Sequence, residues 1–111
     1  MKQRIKLWAD YGSYPLWGVD EIDNFAPEEL PLCSKTIKRL HQWQDNFDLT
    51  LNEEYPPESG FSSPQAEETF KQEGYQLWLS LRQELGSEYE VYYQSDGQLF
   101  KHPHELTQVS V

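Results

Sequence analysis

The sequence predicts an α+β two-layer sandwich, in which two helices cover a small, mainly antiparallel sheet in the order β-α-α-β-β. Three observations carry this reading. Apolar residues alternate with polar ones near both ends of the chain, at Ile5, Leu7 and Ala9 and again at Tyr89, Val91 and Tyr93. Two long intervening stretches repeat their apolar residues at helical spacing. The turn signal Ser95-Asp96-Gly97 then separates two short extended segments. The N-terminal strand must therefore find a C-terminal hairpin across both helices.

The first strand is expected over residues 4–10, with Ile5, Leu7 and Ala9 on one face. Residues 12–18, Gly-Ser-Tyr-Pro-Leu-Trp-Gly, have a chain breaker at each end and three large apolar side chains between them. That reads as a packed loop, in which Trp17 either plugs the core or faces a partner. Residues 20–31 hold Pro27 and Pro31 with no sustained period, which makes them a surface connection with one short helical turn at 27–30. Ser34 reads as an N-cap for a helix over 35–50, because Ile37, Leu40, Trp43, Phe47 and Leu51 recur at helical spacing. This helix begins basic, at Lys35, Lys38 and Arg39, and ends acidic, at Asp45 and Asp48. Each mismatch with the macrodipole costs about 0.3–1 kcal/mol at a surface.

Residues 52–62 contain Pro56, Pro57 and Gly60 and form a loop that turns Glu53, Glu54 and Glu58 toward water. Ser63 then Pro64 reads as N-cap and N1 of a second helix over 64–85, with Glu67 and Glu68 in its first turn. Phe70, Gly74, Leu77, Leu81 and Leu85 mark its buried face, and Gly86 is expected to stop it in the left-handed conformation. Strands over 88–94 and 98–101 close the fold, and the tail from about residue 102 is polar and loosely held. One domain, residues 1–111, accounts for the whole length.

Nineteen Asp and Glu against nine Lys and Arg give a formal net charge of −10, which repels phosphate backbones and anionic lipid surfaces. No direct nucleic-acid or membrane partner is expected. No apolar run reaches membrane-helix length and no signal-peptide core follows Met1-Lys2-Gln3-Arg4, so a cytoplasmic location is expected. Thirteen of the nineteen carboxylates fall in two stretches that contain no Lys or Arg, residues 7–34 and 40–70. The acid is segregated along the chain, and it suggests an acidic face.

Candidates for catalysis are few. His102, His104 and Glu105 lie close in sequence, but Pro103 and a polar surrounding leave them without fixed geometry for a metal. His41 reads as a helix-face neighbour of the core, and Cys33 has no sequence-local activator and no second cysteine to pair with. No phosphate-binding glycine loop, zinc-protease helix or nucleophile elbow occurs. Neither an enzyme nor a cofactor is expected.

What remains is surface, where carboxylates steer a basic partner and aromatic residues anchor the desolvated centre of an interface. The candidate contact residues are Trp17, Asp20, Glu21 and Asp23 in one group and Asp45, Asp48, Glu53, Glu54, Tyr55 and Glu58 in another. A nuclease active site is basic because it holds phosphate, so an acidic protein is suited to cap it.

Leu7-Trp8-Ala9-Asp10-Tyr11, Tyr14-Pro15-Leu16-Trp17, Leu30-Pro31-Leu32, Ser59-Gly60-Phe61 and Glu84-Leu85-Gly86 resemble landmarks of small bacterial proteins encoded among toxin-immunity genes. The resemblance, over about residues 6–93, is to immunity proteins of contact-dependent growth inhibition and related polymorphic toxin systems. It implies a partner that is the C-terminal toxin domain of a contact-dependent inhibition protein, often a ribonuclease that cleaves tRNA, whose active site or substrate surface the immunity protein blocks. The landmarks are structural, so the resemblance carries over no binding residues. Two other readings stay open: an acidic adaptor or regulatory domain for another protein, and a small metal-dependent hydrolase using His102, His104 or Glu105.

Overall fold

The computed structural model describes residues 2–21, 23–52, 54, 60–103 and 105. These residues form five strands and two α-helices: β1 (Gln3–Leu7), β2 (Leu16–Gly18), β3 (Asn24–Phe25), α1 (Ser34–Asp48), α2 (Pro64–Leu85), β4 (Tyr89–Ser95) and β5 (Gln98–Phe100). The sheet order is β3-β2-β1-β4-β5. Three of its four pairings are antiparallel, while that of the central strand β1 with β4 is parallel, with Ile5 opposite Val91. A parallel pair needs a long crossover, and the two helices supply it.

Two of the five strands correct the sequence expectation of three. β2 lies in the segment expected to be a packed loop, and β3 in the expected surface connection. Both are too short to show a period, and pairing makes them strands: Leu16 sits opposite Leu7, and Phe25 opposite Leu16. The Asn24 amide secures this edge by donating to the Tyr14 and Leu16 carbonyls while its oxygen accepts from the Tyr14 N–H. A 3₁₀ turn at Pro27–Glu29 follows, where one helical turn is expected.

The alternation of β1 holds, since Ile5, Leu7 and Ala9 all face the core. Leu16, Val91, Tyr93 and Phe100 join them from the sheet, and Leu40, Trp43, Leu77, Trp78, Leu81 and Leu85 from the helices. Burying each large apolar side chain contributes about 1.5–3 kcal/mol before chain entropy. The alternate residues Lys6, Trp8, Trp17 and Tyr92 point to the opposite face, away from the helices.

Helix ends follow local chemistry. Ser63 caps α2 as expected, its hydroxyl accepting from the Ala66 N–H at 3.1 Å with Pro64 in the first turn. At α1 the cap position falls on Cys33 instead of Ser34, and no side chain of its own closes the turn. Glu84 of α2 does so from outside: its carboxylate accepts from the Cys33 N–H at 2.8 Å and from the Thr36 hydroxyl. A negative charge thus stands at the positive pole of α1, which offsets the basic first turn. Burial works to raise the Glu84 pKa, but these hydrogen bonds and the nearby Arg39 outweigh it and hold the carboxyl below its usual range.

Gly86 does not adopt the left-handed conformation expected of it; its φ is −60°. A Cβ there would run into the Arg82 carbonyl oxygen, so the missing side chain, not a special φ, is what the position uses. Left-handed conformations occur among the described residues at Gly12 (φ 71°) and in the β4–β5 turn at Asp96 (φ 52°) and Gly97 (φ 78°), the last two as a two-residue hairpin with right-handed twist requires. No helix among the described residues is long and apolar enough to cross a membrane.

Candidate functional site

Chain direction defines two ends. β1 and β4 run together toward the end that holds Gly12 and the Asp96-Gly97 turn, and the Asp48 carboxylate reaches Gly12 there, so α1 finishes at this end and α2 begins. The opposite end holds the β2–β3 loop, the start of α1 and the finish of α2.

At the first end a cleft of about 440 Å³ opens between α1 and α2. Phe61 and Phe70 line it with ring centroids 5.1 Å apart. Phe70 is itself held by the Trp43 ring stacked at 4.5 Å, and the Trp43 indole N–H donates to the Phe70 carbonyl. Phe47 lies 5.7 Å from Phe70 and stacks on Tyr11 at 4.5 Å, so a continuous aromatic layer backs the cleft. The rim is tied down as well: the Gly60 N–H donates to the Thr50 carbonyl at 2.9 Å, and the Tyr11 and Thr50 hydroxyls bond at 2.6 Å. Leu49 lines the same cleft and is 82 % exposed. Leu49 thus extends the apolar lining of the cleft into solvent.

The charge around this end is negative. Asp45, Glu54 and Glu73 are exposed and form no ion pair with any described residue, and Glu73 lines the cleft. Lys71 is engaged between Asp96 at 3.0 Å and Glu67 at 3.4 Å; its hydrogen bond to Asp96, with both negative charges, raises its pKa. The negative pole of α1 adds to the same field.

The residues expected from sequence divide between the two ends. Asp45 and Glu54 lie at the cleft end and are unpaired. Asp48 is at that end too but is engaged, since its carboxylate accepts from the Gly12 N–H at 3.1 Å and the Gln44 amide at 3.0 Å. Glu53, Tyr55 and Glu58 lie outside the described residues. Asp20, Glu21 and Asp23 sit at the opposite end; Asp20 is bound by Arg4 through both oxygens, and this hydrogen bonding holds its pKa low. Glu21 and Asp23 are exposed and unpaired among the described residues. The two acidic groups therefore do not merge into one face.

Trp17 is on the outer face of the sheet, half-buried, its ring 5.4 Å from that of Trp8 and its indole N–H donating to the Trp8 carbonyl at 3.0 Å. Lys6 lies over the Trp8 ring and Arg4 over the Tyr92 ring on this face. Elsewhere His41 pairs with Glu28 at 2.9 Å, and that hydrogen bond lowers the Glu28 pKa. Among the described residues no three His, Cys, Asp or Glu side chains gather as a metal set. His104 lies outside them, and the Glu105 carboxylate accepts from the Lys101 N–H.

Sequence reasoning passed over Leu49, Phe70 as a cleft wall, and Glu73. One signal was present: Leu49 stands off the apolar stripe of its helix, between Phe47 and Leu51, where burial does not explain a leucine.

No curated protein matches the chain. A family model described as Serratia CdiI immunity protein-like matches residues 3–96, which takes in both helices, four whole strands and the start of the final turn. The match covers most of the chain, and with it the protein belongs to the Serratia CdiI-like family of immunity proteins.

Proposed function

We propose that this chain neutralises a cognate toxin by binding a basic nuclease domain, of the tRNA-cleaving type, and covering its active site or substrate surface. The family supplies the class, an immunity protein that binds a toxin. The observation that carries the finer reading is the cleft end, where the unpaired carboxylate of Glu73 shares the cleft lining with exposed Leu49 and the Phe61–Phe70 wall, and Asp45 lies one helical turn before Leu49 on α1. Such a combination suits a phosphate-handling surface: carboxylates meet its lysines and arginines, and the apolar centre excludes water. Glu53, Tyr55 and Glu58 belong to the stretch that adjoins this end in sequence, and Glu21 and Asp23 offer a second acidic group at the far end. The chain acts by occlusion, with no chemistry of its own.

The test is growth protection by the chain against the toxin domain encoded with it, together with calorimetry of the purified pair at low and physiological salt. Protection with affinity that falls as salt rises is the expected result. Tight binding indifferent to salt would remove the electrostatic argument, and failure to protect would favour an adaptor role.

A further inference from the structure

We infer that the cleft between α1 and α2 is a receptor for one arginine side chain presented by the toxin's basic surface, a conclusion that rests on the toxin-binding reading above. The occupant follows from the chemistry of the walls. Phe61 and Phe70 offer ring faces and edges, on which a planar guanidinium stacks better than a compact ammonium does. Leu49, largely exposed to solvent, covers the aliphatic stem of such a side chain. Glu73, on the α2 side, and Asp45, one turn before Leu49 on α1, supply carboxylates that no described cation already holds. The carbonyl end of α1 adds negative potential at the same place.

A neutral apolar occupant would offer the Asp45 and Glu73 carboxylates no opposite charge and so forgo their attraction. An acidic occupant would meet like charge from Asp45, Glu54 and Glu73. With about 440 Å³ of space the cleft admits one long side chain with the backbone that carries it, not a helix. The Trp43–Phe70 stack and the Gly60–Thr50 hydrogen bond hold its walls in place before anything binds, so little ordering is required on association.

The probe is N-acetyl-arginine methylamide, titrated into the full chain at constant ionic strength and followed by amide chemical shifts, with the neutral citrulline analogue as its isosteric control. Saturable shifts at Leu49, Thr50, Phe61 and Glu73 are expected, with arginine preferred over citrulline by about fivefold, the size of one exposed cation–π or ion-pair contact. Glu73→Gln, an exposed and isosteric change, removes most of that preference. Thr69→Trp fills the cleft and abolishes both sets of shifts while amides elsewhere stay in place. No saturable shift at these amides, equal binding of the two probes, or an unchanged preference in Glu73→Gln would overturn the inference. So would toxin affinity that neither variant alters. The titration needs no toxin, so failure of the unmodified chain to protect cells falls on the proposed function, and loss of arginine binding with protection intact falls on the cleft alone.

Discussion

Gly74→Ala is expected to destabilise this protein, although the same change on an exposed helix would stabilise it. Gly74 lies mid-way along α2, where replacing glycine by alanine ordinarily gains about 1 kcal/mol of helix propensity. Here the position is buried, and a Cβ would stand 2.5 Å from the Tyr93 hydroxyl oxygen and 2.8 Å from Cζ2 of Trp43. Both neighbours must move, and both are core residues, at 2 % exposure each. Overpacking of this kind costs about 1–3 kcal/mol, so the net loss after the propensity gain is about 0–2 kcal/mol. The consequence reaches the cleft, because the Trp43 ring that would be displaced is the one stacked on Phe70. Thermal and urea unfolding followed by near-ultraviolet circular dichroism measure the loss, and each kcal/mol lowers the midpoint by about 4–8 °C in a small domain. Tyr93→Phe removes the nearest clashing atom and should recover part of the deficit in the double variant. A Gly74→Ala protein that melts higher than its parent would refute the close approach of α2 to Trp43 and Tyr93.

Other consequences concern titration. Burial pushes the Tyr93 phenol up from 10.0 to about 12, so its protonated form is favoured in the fold. Above pH 10 the unfolded chain releases this proton first, and stability is lost as pH climbs toward 12; Tyr93→Phe should flatten that slope in urea midpoints. Glu84, Asp20 and Glu28 have carboxyls held low in the fold. Their contribution is present above the ordinary carboxylate range and lost as pH falls through their folded values. Glu84→Ala also strips α1 of its borrowed cap and should cost about 1 kcal/mol at neutral pH, the worth of a helix cap, with a shallower acid limb in the pH profile.

Where residues act through neighbours in sequence, the chain could be read directly. Ser63-Pro64 opens α2, Ile5 and Leu7 turn to the core, and Asp96-Gly97 makes the tight turn, because each rests on a propensity or a short-range period. Long-range partners decided the rest. β2 and β3 exist through pairing with β1 and each other, the cap of α1 comes from Glu84 fifty-one positions away from Cys33, and Gly86 is required by the Arg82 carbonyl. The acidic character was legible as composition, but its division was not. Asp20 and Asp48 looked equivalent to Asp45 until Arg4 and Gly12 engaged them. Glu73, in a helix that reads as ordinary, became a candidate only when Leu49 and Phe61 were brought to its side.

The division of charge between two ends leads to a prediction about association. A standard interface covers about 800 Å² of each partner, roughly a ninth of the 7182 Å² surface of this chain. A patch of that size includes one end of the sheet but not both. Reversing Asp45 and Glu73 to lysine at the cleft end should therefore slow association and speed dissociation from the toxin domain together, since the proposed contact includes these carboxylates. Reversing Glu21 and Asp23 at the far end should slow association at low salt alone. At physiological ionic strength the screening length is about 8 Å, shorter than the sheet that separates the two groups, and the effect should fade. Stopped-flow binding at two salt concentrations distinguishes these cases. Faster dissociation from both pairs of reversals at physiological salt would mean that the toxin wraps the whole molecule. Faster dissociation from the Glu21 and Asp23 pair only would move the interface to the loop between β2 and β3 and leave the cleft without a partner.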